Sequence, residues 1–282
     1  MTAVNSVHNR SAWGPIQQWA SGVGGMVRLL LRAPRGRGAS WTFDWRQPAV
    51  AAGCGLVAFV FCITWLDASV TRAVLTLPPA IPWFFNRITD FGKSGVVLWP
   101  LGILLVLLTL VPQRRLTRMS QLVLAATTAR VGFLFLAVGV PGIFVTVIKR
   151  LVGRARPMVT GDVNPFAFDM TNWSAAWASF PSGHAATVFS VLVAFGSLWP
   201  RARWALWLYA LAIAASRIAV LAHFPSDVLA GALVGTAGAL MVRRYFALRR
   251  LVFTVADNGA IRRLPGPSRP RIKAVARDLL AP

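Results

Sequence analysis

The sequence predicts an all-α integral membrane protein, a six-helix bundle with both termini on the cytoplasmic side. Three observations lead there. Of 282 residues, 56% are hydrophobic and only 13% are charged, whereas soluble domains carry roughly a quarter charged residues. The apolar residues gather in long blocks rather than an amphipathic rhythm, and six blocks approach the roughly 20 residues that a spanning helix needs. The basic residues are also divided unequally between the two sides that these blocks define.

The chain opens with a basic, Gly-rich arm, residues 1–47, bearing Arg10, Arg28, Arg32, Arg35, Arg37 and Arg46. No short basic start followed by an apolar core marks a cleavable signal. Trp13 to Leu31 could lie in the interface as a helix, although Gly22, Gly24 and Gly25 weaken it. The six spans are read at about 48–66, 95–112, 131–149, 183–200, 204–222 and 226–242, forming one membrane domain over 48–242. Pro141 in the third span is a candidate kink. The basic tail, 243–282, with Pro265, Pro267 and Pro270, is expected to be a mostly disordered cytoplasmic surface segment. Cys54 and Cys62 lie eight apart in the first span, about 12 Å of helical rise, too far for a disulfide.

Orientation follows from Lys and Arg. With both termini inside, 22 of the 30 basic residues fall on the cytoplasmic side, and eight fall outside: Arg72, Arg87, Lys93, Lys149, Arg150, Arg154, Arg156 and Arg217. A formal net charge of +22 could suggest a nucleic-acid partner. The arginines, however, sit at the ends of apolar blocks and in the two tails, which reads as membrane orientation and contact with anionic headgroups. The expected partners are the bilayer and a lipid substrate, with no nucleic acid.

Three polar islands stand at the outer ends of spans: Lys149 to Arg156-Pro157, Pro181-Ser182-Gly183-His184, and Ser216-Arg217 with His223 and Asp227. In the six-span topology all three converge on one face. Lys149, Arg156 and Arg217 supply cationic donors suited to phosphate oxygens, the two arginines with bidentate geometry. Ser182 and Gly183 open a helix whose unpaired N–H groups and dipole favour an anion, and Gly183 lets the anion approach the backbone closely.

Phosphoryl transfer needs a nucleophile, a proton donor for the leaving group, and positive charge around the phosphoryl oxygens. Asp227 follows His223 by four residues and can reach one ring nitrogen, leaving the other free to attack phosphorus. His184 then remains as general acid. Each residue also has a plainer reading. Lys149 could be a snorkelling anchor, Ser182 only an N-cap, and either histidine a structural one. Arg217, near the outer end of an apolar span, needs a partner or a polar cavity, and a phosphate would supply one. Arg150 and Arg154 are read as headgroup contacts, and His8 is given no role. The loop 158–180, with Asp162, Asp169, Trp173 and Trp177, is the expected substrate-selecting element.

Lys-x6-Arg-Pro, Pro-Ser-Gly-His and Ser-Arg-x5-His-x3-Asp, in this order, resemble the three-part signature of the type 2 phosphatidic acid phosphatase superfamily. The matches run from Lys149 to Asp227 without a departure. The resemblance implies a covalent phosphohistidine on His223 assisted by Asp227, and His184 as the proton donor. It implies phosphate binding by Lys149, Arg156, Ser182, Gly183 and Arg217, and no metal or other cofactor. The expected protein is a lipid phosphate or diphosphate phosphatase of a cell inner membrane with its site facing the periplasm. Undecaprenyl diphosphate is the first substrate considered. A lipid A 1-phosphatase or a lipid-to-lipid phosphotransferase is the alternative, and a non-catalytic anionic-lipid binder is a third reading that the His223–Asp227 pair disfavours.

Overall fold

The computed structural model describes residues 22–25, 27–28, 30–34, 46–111 and 116–280. The proposed interfacial helix at Trp13–Leu31 and His8 fall largely outside them, though the described residues between 22 and 31 are helical. Seven long or medium helices carry the fold: α1 (Arg46–Leu75), α2 (Ala80–Thr89), α3 (Ser94–Leu110), α4 (Arg118–Val152), α5 (Gly183–Leu198), α6 (Arg203–Ala219) and α7 (Pro225–Leu248). A short hairpin follows, β1 (Phe253–Val255) paired antiparallel with β2 (Ile261–Arg263), and then α8 (Arg269–Leu280).

Each of the six apolar blocks falls mostly in a helix, as far as the described residues show. Four helical stretches are long and apolar enough to cross a membrane: Arg46–Leu75, Ala80–Leu110, Arg118–Val152 and Pro225–Leu248. Helix α5 is apolar but has 16 residues, and α6 has 17, so each rises only about 24–26 Å. The outer surfaces of α1 and α3 expose Val57, Trp65, Trp99 and Ile103, an apolar belt suited to lipid and not to water. The protein is a multi-pass membrane protein.

Two boundaries differ from expectation for a physical reason. Helix α4 begins at Arg118 rather than near 131, because its first turns carry Gln121 and Arg130, which interrupt the apolar block without interrupting the helix. Helix α2 falls between the first two predicted spans; at 10 residues it is too short for a span and left no span-length signal.

The centre of the bundle is the packing of α5 against α7, flanked by α4. A Cβ on Gly231 would stand 2.3 Å from the Ser182 carbonyl oxygen, and one on Gly235 2.2 Å from that of Ala186. Small residues four apart thus let the two backbones touch, as in membrane helix pairs, and Ser190 Oγ donates to the Gly235 carbonyl at 3.0 Å. Pro141 lies inside α4, and a Cβ on Gly238 would stand 2.6 Å from its Cγ, so the proline ring fills the notch that this glycine leaves.

Through residue 280 the tail is folded, not disordered. Val252 and Phe253 are buried with Phe133, Leu198 and Phe246 in the main apolar cluster, and the Phe133 ring lies edge-on to Phe253 at 4.9 Å. Arg130 donates to the carbonyls of Leu264 (3.1 Å) and Pro265 (2.8 Å), tying down the Pro-rich stretch. Asp278 of α8 accepts from Thr117 and Ser120 at the start of α4. Composition alone hid this, because a few buried aromatics and carbonyl contacts hold an otherwise polar segment. The small hairpin also qualifies the all-α expectation. Cys54 and Cys62 are unpaired, as their spacing required.

Candidate active site

The C-terminus of α4 brings the first island into place. Lys149 lies in its last turn, and the helix ends on Gly153 in the left-handed conformation, φ 58°. A Cβ there would also meet the Asp169 carbonyl oxygen at 2.1 Å, so glycine is required twice over. The chain then pairs with the following loop: Asp169 N donates to Gly153 O at 2.7 Å, and Ala155 N to Ala167 O at 3.0 Å. Arg156 N donates to Ala176 O at 2.8 Å.

The second island starts α5. Ser182 is its N-cap, with Oγ accepting from Ala185 N, and its own N–H donates to the Asp227 carbonyl at 2.9 Å. A Cβ on Gly183 would stand 3.7 Å from Lys149 Nζ. The Lys149 ammonium therefore faces the positive end of α5 across a space that the missing side chain leaves open, which is a place for an anion.

The third island spans the α6–α7 corner. Arg217 is 8% exposed and donates from Nη1 to Thr89 Oγ1 at 2.5 Å; Ser216 Oγ lies 3.0 Å from the same hydroxyl. The carbonyl of Arg217 accepts from Ala222 N and His223 N at 3.1 and 3.2 Å, fixing the turn that presents His223. Pro225 occupies the first turn of α7, where its missing N–H costs nothing. Asp227 Oδ2 accepts from Phe224 N at 2.9 Å.

His223 is 3% exposed, with Nδ1 3.7 Å from Asp227 Oδ2. That is an ion-pair distance rather than a hydrogen bond, and such contacts tighten along a reaction. Burial pushes the imidazole down to about 4, against the opposing pull of Asp227. At neutral pH His223 is therefore uncharged, with a free lone pair, as a nucleophile must be.

All eight site residues expected from the sequence converge. Lys149 and Arg217 lie within electrostatic reach of each other and of Arg156, His184 and His223. Three buried polar atoms, Arg156 Nε, Arg217 Nε and His184 Nε2, have no hydrogen-bond partner among the described residues. Buried polar atoms without partners are costly, and three together in one cationic cluster mark a candidate anion site.

Other participants escaped sequence reasoning. Arg154, read as a headgroup contact, is 1% exposed and donates to both Asp227 Oδ1 (2.5 Å) and Asp67 Oδ2 (2.7 Å). That reading is corrected: Gly153 turns the side chain inward, where Phe224 stacks on its guanidinium at 4.6 Å. Ser179 Oγ donates to Asp227 Oδ2 at 2.6 Å, and Thr89 holds Arg217. Asp67, Ser179 and Thr89 lie outside the three islands, and only a carboxylate inside an apolar helix could have pointed to Asp67. Within the loop 158–180, Asp162 and Asp169 accept from Thr160 and Thr171 in local turns. Arg150 donates to the Trp173 carbonyl.

Comparison with known proteins finds relatives over this part of the chain. Residues 130–251 match the model of the PAP2 superfamily, a range that contains all three islands. A lipid A 1-phosphatase of Rhizobium etli is 33% identical over 183 residues, covering 64% of this chain and 78% of that protein. A lipid A 1-phosphatase of Rhizobium johnstonii is 39% identical over 127 residues, 45% of this chain and 52% of that protein, so in this match the chain spans about half the relative's length. Among solved structures, Aquifex aeolicus LpxE aligns with a TM-score of 0.46 at 27% identity, covering 64% of this chain and 96% of that one. With the relative from Rhizobium etli matched over most of its length, the chain belongs to the PAP2 superfamily.

Proposed function

We propose that the protein removes a phosphate from a membrane lipid through a phosphohistidine on His223. The observation that carries this is the neutral, buried His223 beside Asp227, together with a cluster in which Arg156, Arg217 and His184 nitrogens lack partners among the described residues. Nε2 of His223 attacks phosphorus while Nδ1–H turns to Asp227 Oδ2. The bond to the leaving oxygen breaks, and that oxygen takes a proton from His184. Lys149, Arg156, Arg217 and the N-terminus of α5 at Ser182 and Gly183 hold the phosphoryl oxygens as charge develops. Water then gives a proton to the now-deprotonated His184 and attacks phosphorus, breaking the N–P bond, releasing phosphate and restoring both His223 and His184. Asp227 is committed to His223, so activity in excess EDTA is expected to stay within a few-fold of the untreated enzyme.

The relatives favour one substrate over the first considered. Two curated matches are lipid A 1-phosphatases, so the 1-phosphate of lipid A is the proposed substrate and undecaprenyl diphosphate the alternative. In this reading six helices span the inner membrane with both termini in the cytoplasm, the two short helices α5 and α6 included, and the site opens to the periplasm. The charge division between the two sides supports that orientation. The test is phosphate release by the purified protein across lipid A, undecaprenyl diphosphate and phosphatidic acid in matched micelles. Strongest turnover of lipid A, lost in His223→Ala, is expected. Release from undecaprenyl diphosphate alone would replace the substrate, and release from none would refute the reading. A cysteine at exposed Ser174, with Cys54 and Cys62 replaced, should react with an impermeant maleimide in intact spheroplasts, and one at Asn258 should not.

A further inference from the structure

Helix α1 is attached to the bundle in an unusual way. Among its described residues only Asp67 and Thr71 are fully buried, at 0% and 1% exposed, while its apolar side chains are exposed or at most half-buried. Just before Asp67, Cys62–Leu66 forms a π turn, with Asp67 N–H donating to Cys62 O. One extra residue per turn rotates the rest of the helix by about 100° and turns Asp67 toward α7. There Oδ1 accepts from Ser226 N at 2.8 Å, and Oδ2 from Ser226 Oγ at 2.5 Å and Arg154 Nη2 at 2.7 Å. Arg154 spends its other donors on Ser226 Oγ, Asp227 Oδ1 and the Pro165 carbonyl. The result is a closed, fully buried chain of charges, Asp67–Arg154–Asp227, ending on the nucleophile.

Stability does not explain this chain. Desolvating buried ions generally costs about as much as their attraction returns, or more, and apolar residues would have joined α1 to α7 more simply. The arrangement does divide the Asp227 carboxylate. Oδ1 is held by Arg154, while Oδ2 is left for Ser179, Phe224 N and the His223 ring. Arg154 alone would neutralise Asp227; Asp67 offsets Arg154 and leaves one net negative charge behind the imidazole.

We propose that Asp67 and Arg154 are positioning residues for the nucleophile: Arg154 orients Asp227 toward His223, and Asp67 preserves the negative charge that supports the phosphorylated ring. The proposal rests on His223 acting as nucleophile. Besides this chain, the charged and titratable groups around His223 are Lys149 from α4, Arg156 from the following loop, His184 from α5 and Arg217 from α6. All are left intact in the test.

The probe is p-nitrophenyl phosphate. Its leaving group needs little protonation, so the acid limb of kcat/KM reports the nucleophile, and comparing variants cancels the substrate's own ionisation. Full-length Arg154→Met, Asp67→Asn, the double variant and Arg154→Lys are purified in detergent, and thermal unfolding identifies folded protein. Arg154→Met, which leaves two negative charges, should lower kcat about tenfold or more, the scale on which outer partners of active groups act. Its acid limb should move up by about half to one pH unit. Adding Asp67→Asn should bring the limb back to the wild-type position while kcat stays low, because charge is restored and orientation is not. Asp67→Asn alone should lower kcat with no upward movement of the limb. Arg154→Lys, which keeps the charge and loses the fork, should lower kcat with the limb in place; it decides the matter if Arg154→Met does not fold. Full kcat in folded Arg154→Lys, or limbs that coincide in all folded variants, would overturn the proposal. Wild-type turnover that survives His223→Ala would instead overturn the reading beneath it.

Discussion

At one end of α4, α5 and α7, Phe133 sits edge-on to Phe246 and Phe253, with centroids 5.5 and 4.9 Å apart. Around these rings lie Leu134, Ala194, Leu198 and Val252, all buried. At the other end of the same helices the buried residues are Asp67, Arg154, Ser179, Ser182, His223, Ser226 and Asp227. The first end uses burial without direction, worth about 1.5–3 kcal/mol for each large side chain. The second holds ions out of solvent, where each lost partner leaves an unpaired charge. The largest buried apolar cluster lies away from the site, and the polar end can be committed to orienting groups because that cluster secures the helices.

Substitutions at the two ends should therefore fail differently. The largest effect on turnover, short of removing the nucleophile, is expected from His184→Ala. An alkyl phosphate should lose about 10²–10⁴-fold in kcat, and an aryl phosphate, whose leaving group departs without help, much less. Equal losses on both would remove His184 from the acid role and reduce it to a contact. Gly183→Ala should come next. The methyl would enter the space beside Lys149 Nζ, which the protein itself does not fill, and a displacement of this size costs about 10²-fold in kcat/KM. Thermal unfolding should be unchanged or slightly improved, since alanine favours helix; unimpaired turnover would place the phosphate elsewhere.

How far the site could be read from the chain follows the same division. The three islands were legible because polar residues at fixed spacing stand out inside apolar blocks, and every one of Lys149, Arg156, Ser182, Gly183, His184, Arg217, His223 and Asp227 falls in the pocket region. The supports were not. Asp67, Thr89 and Ser179 reach the site through a π turn, a helix end and a loop, which leave no periodic trace. Arg154 looked like a headgroup contact until the left-handed Gly153 turned it inward. At the apolar end, the Phe133–Phe253 contact depends on a chain reversal after α7 that composition disguised as a disordered tail.

A smaller and more diagnostic effect lies in pH. With burial holding the His223 imidazole near 4, the neutral nucleophile persists as pH falls through the ordinary histidine value of about 6.5. The acid limb of kcat/KM on an aryl phosphate should lie clearly below pH 6.5, compared with the same substrate's own ionisation as reference. A limb at 6.5 would mean that water reaches the ring. The smallest effect on catalysis is expected at the far end. Phe253→Ala should cost about 3–5 kcal/mol of stability, read by thermal unfolding, while kcat per folded molecule stays at the wild-type level. A matching fall in kcat would show that the two ends are coupled, against the separation between them.

The most direct test of the central claim is to trap the intermediate. Protein is mixed with ³²P-labelled substrate, quenched in alkali within the first turnover, and digested for mass-spectrometric mapping. Phosphate that is stable in base, labile in acid and carried by the peptide containing His223 is expected, and none in His223→Ala. Label on another residue, or rapid turnover with no trapped label and full activity in His223→Ala, would contradict the account.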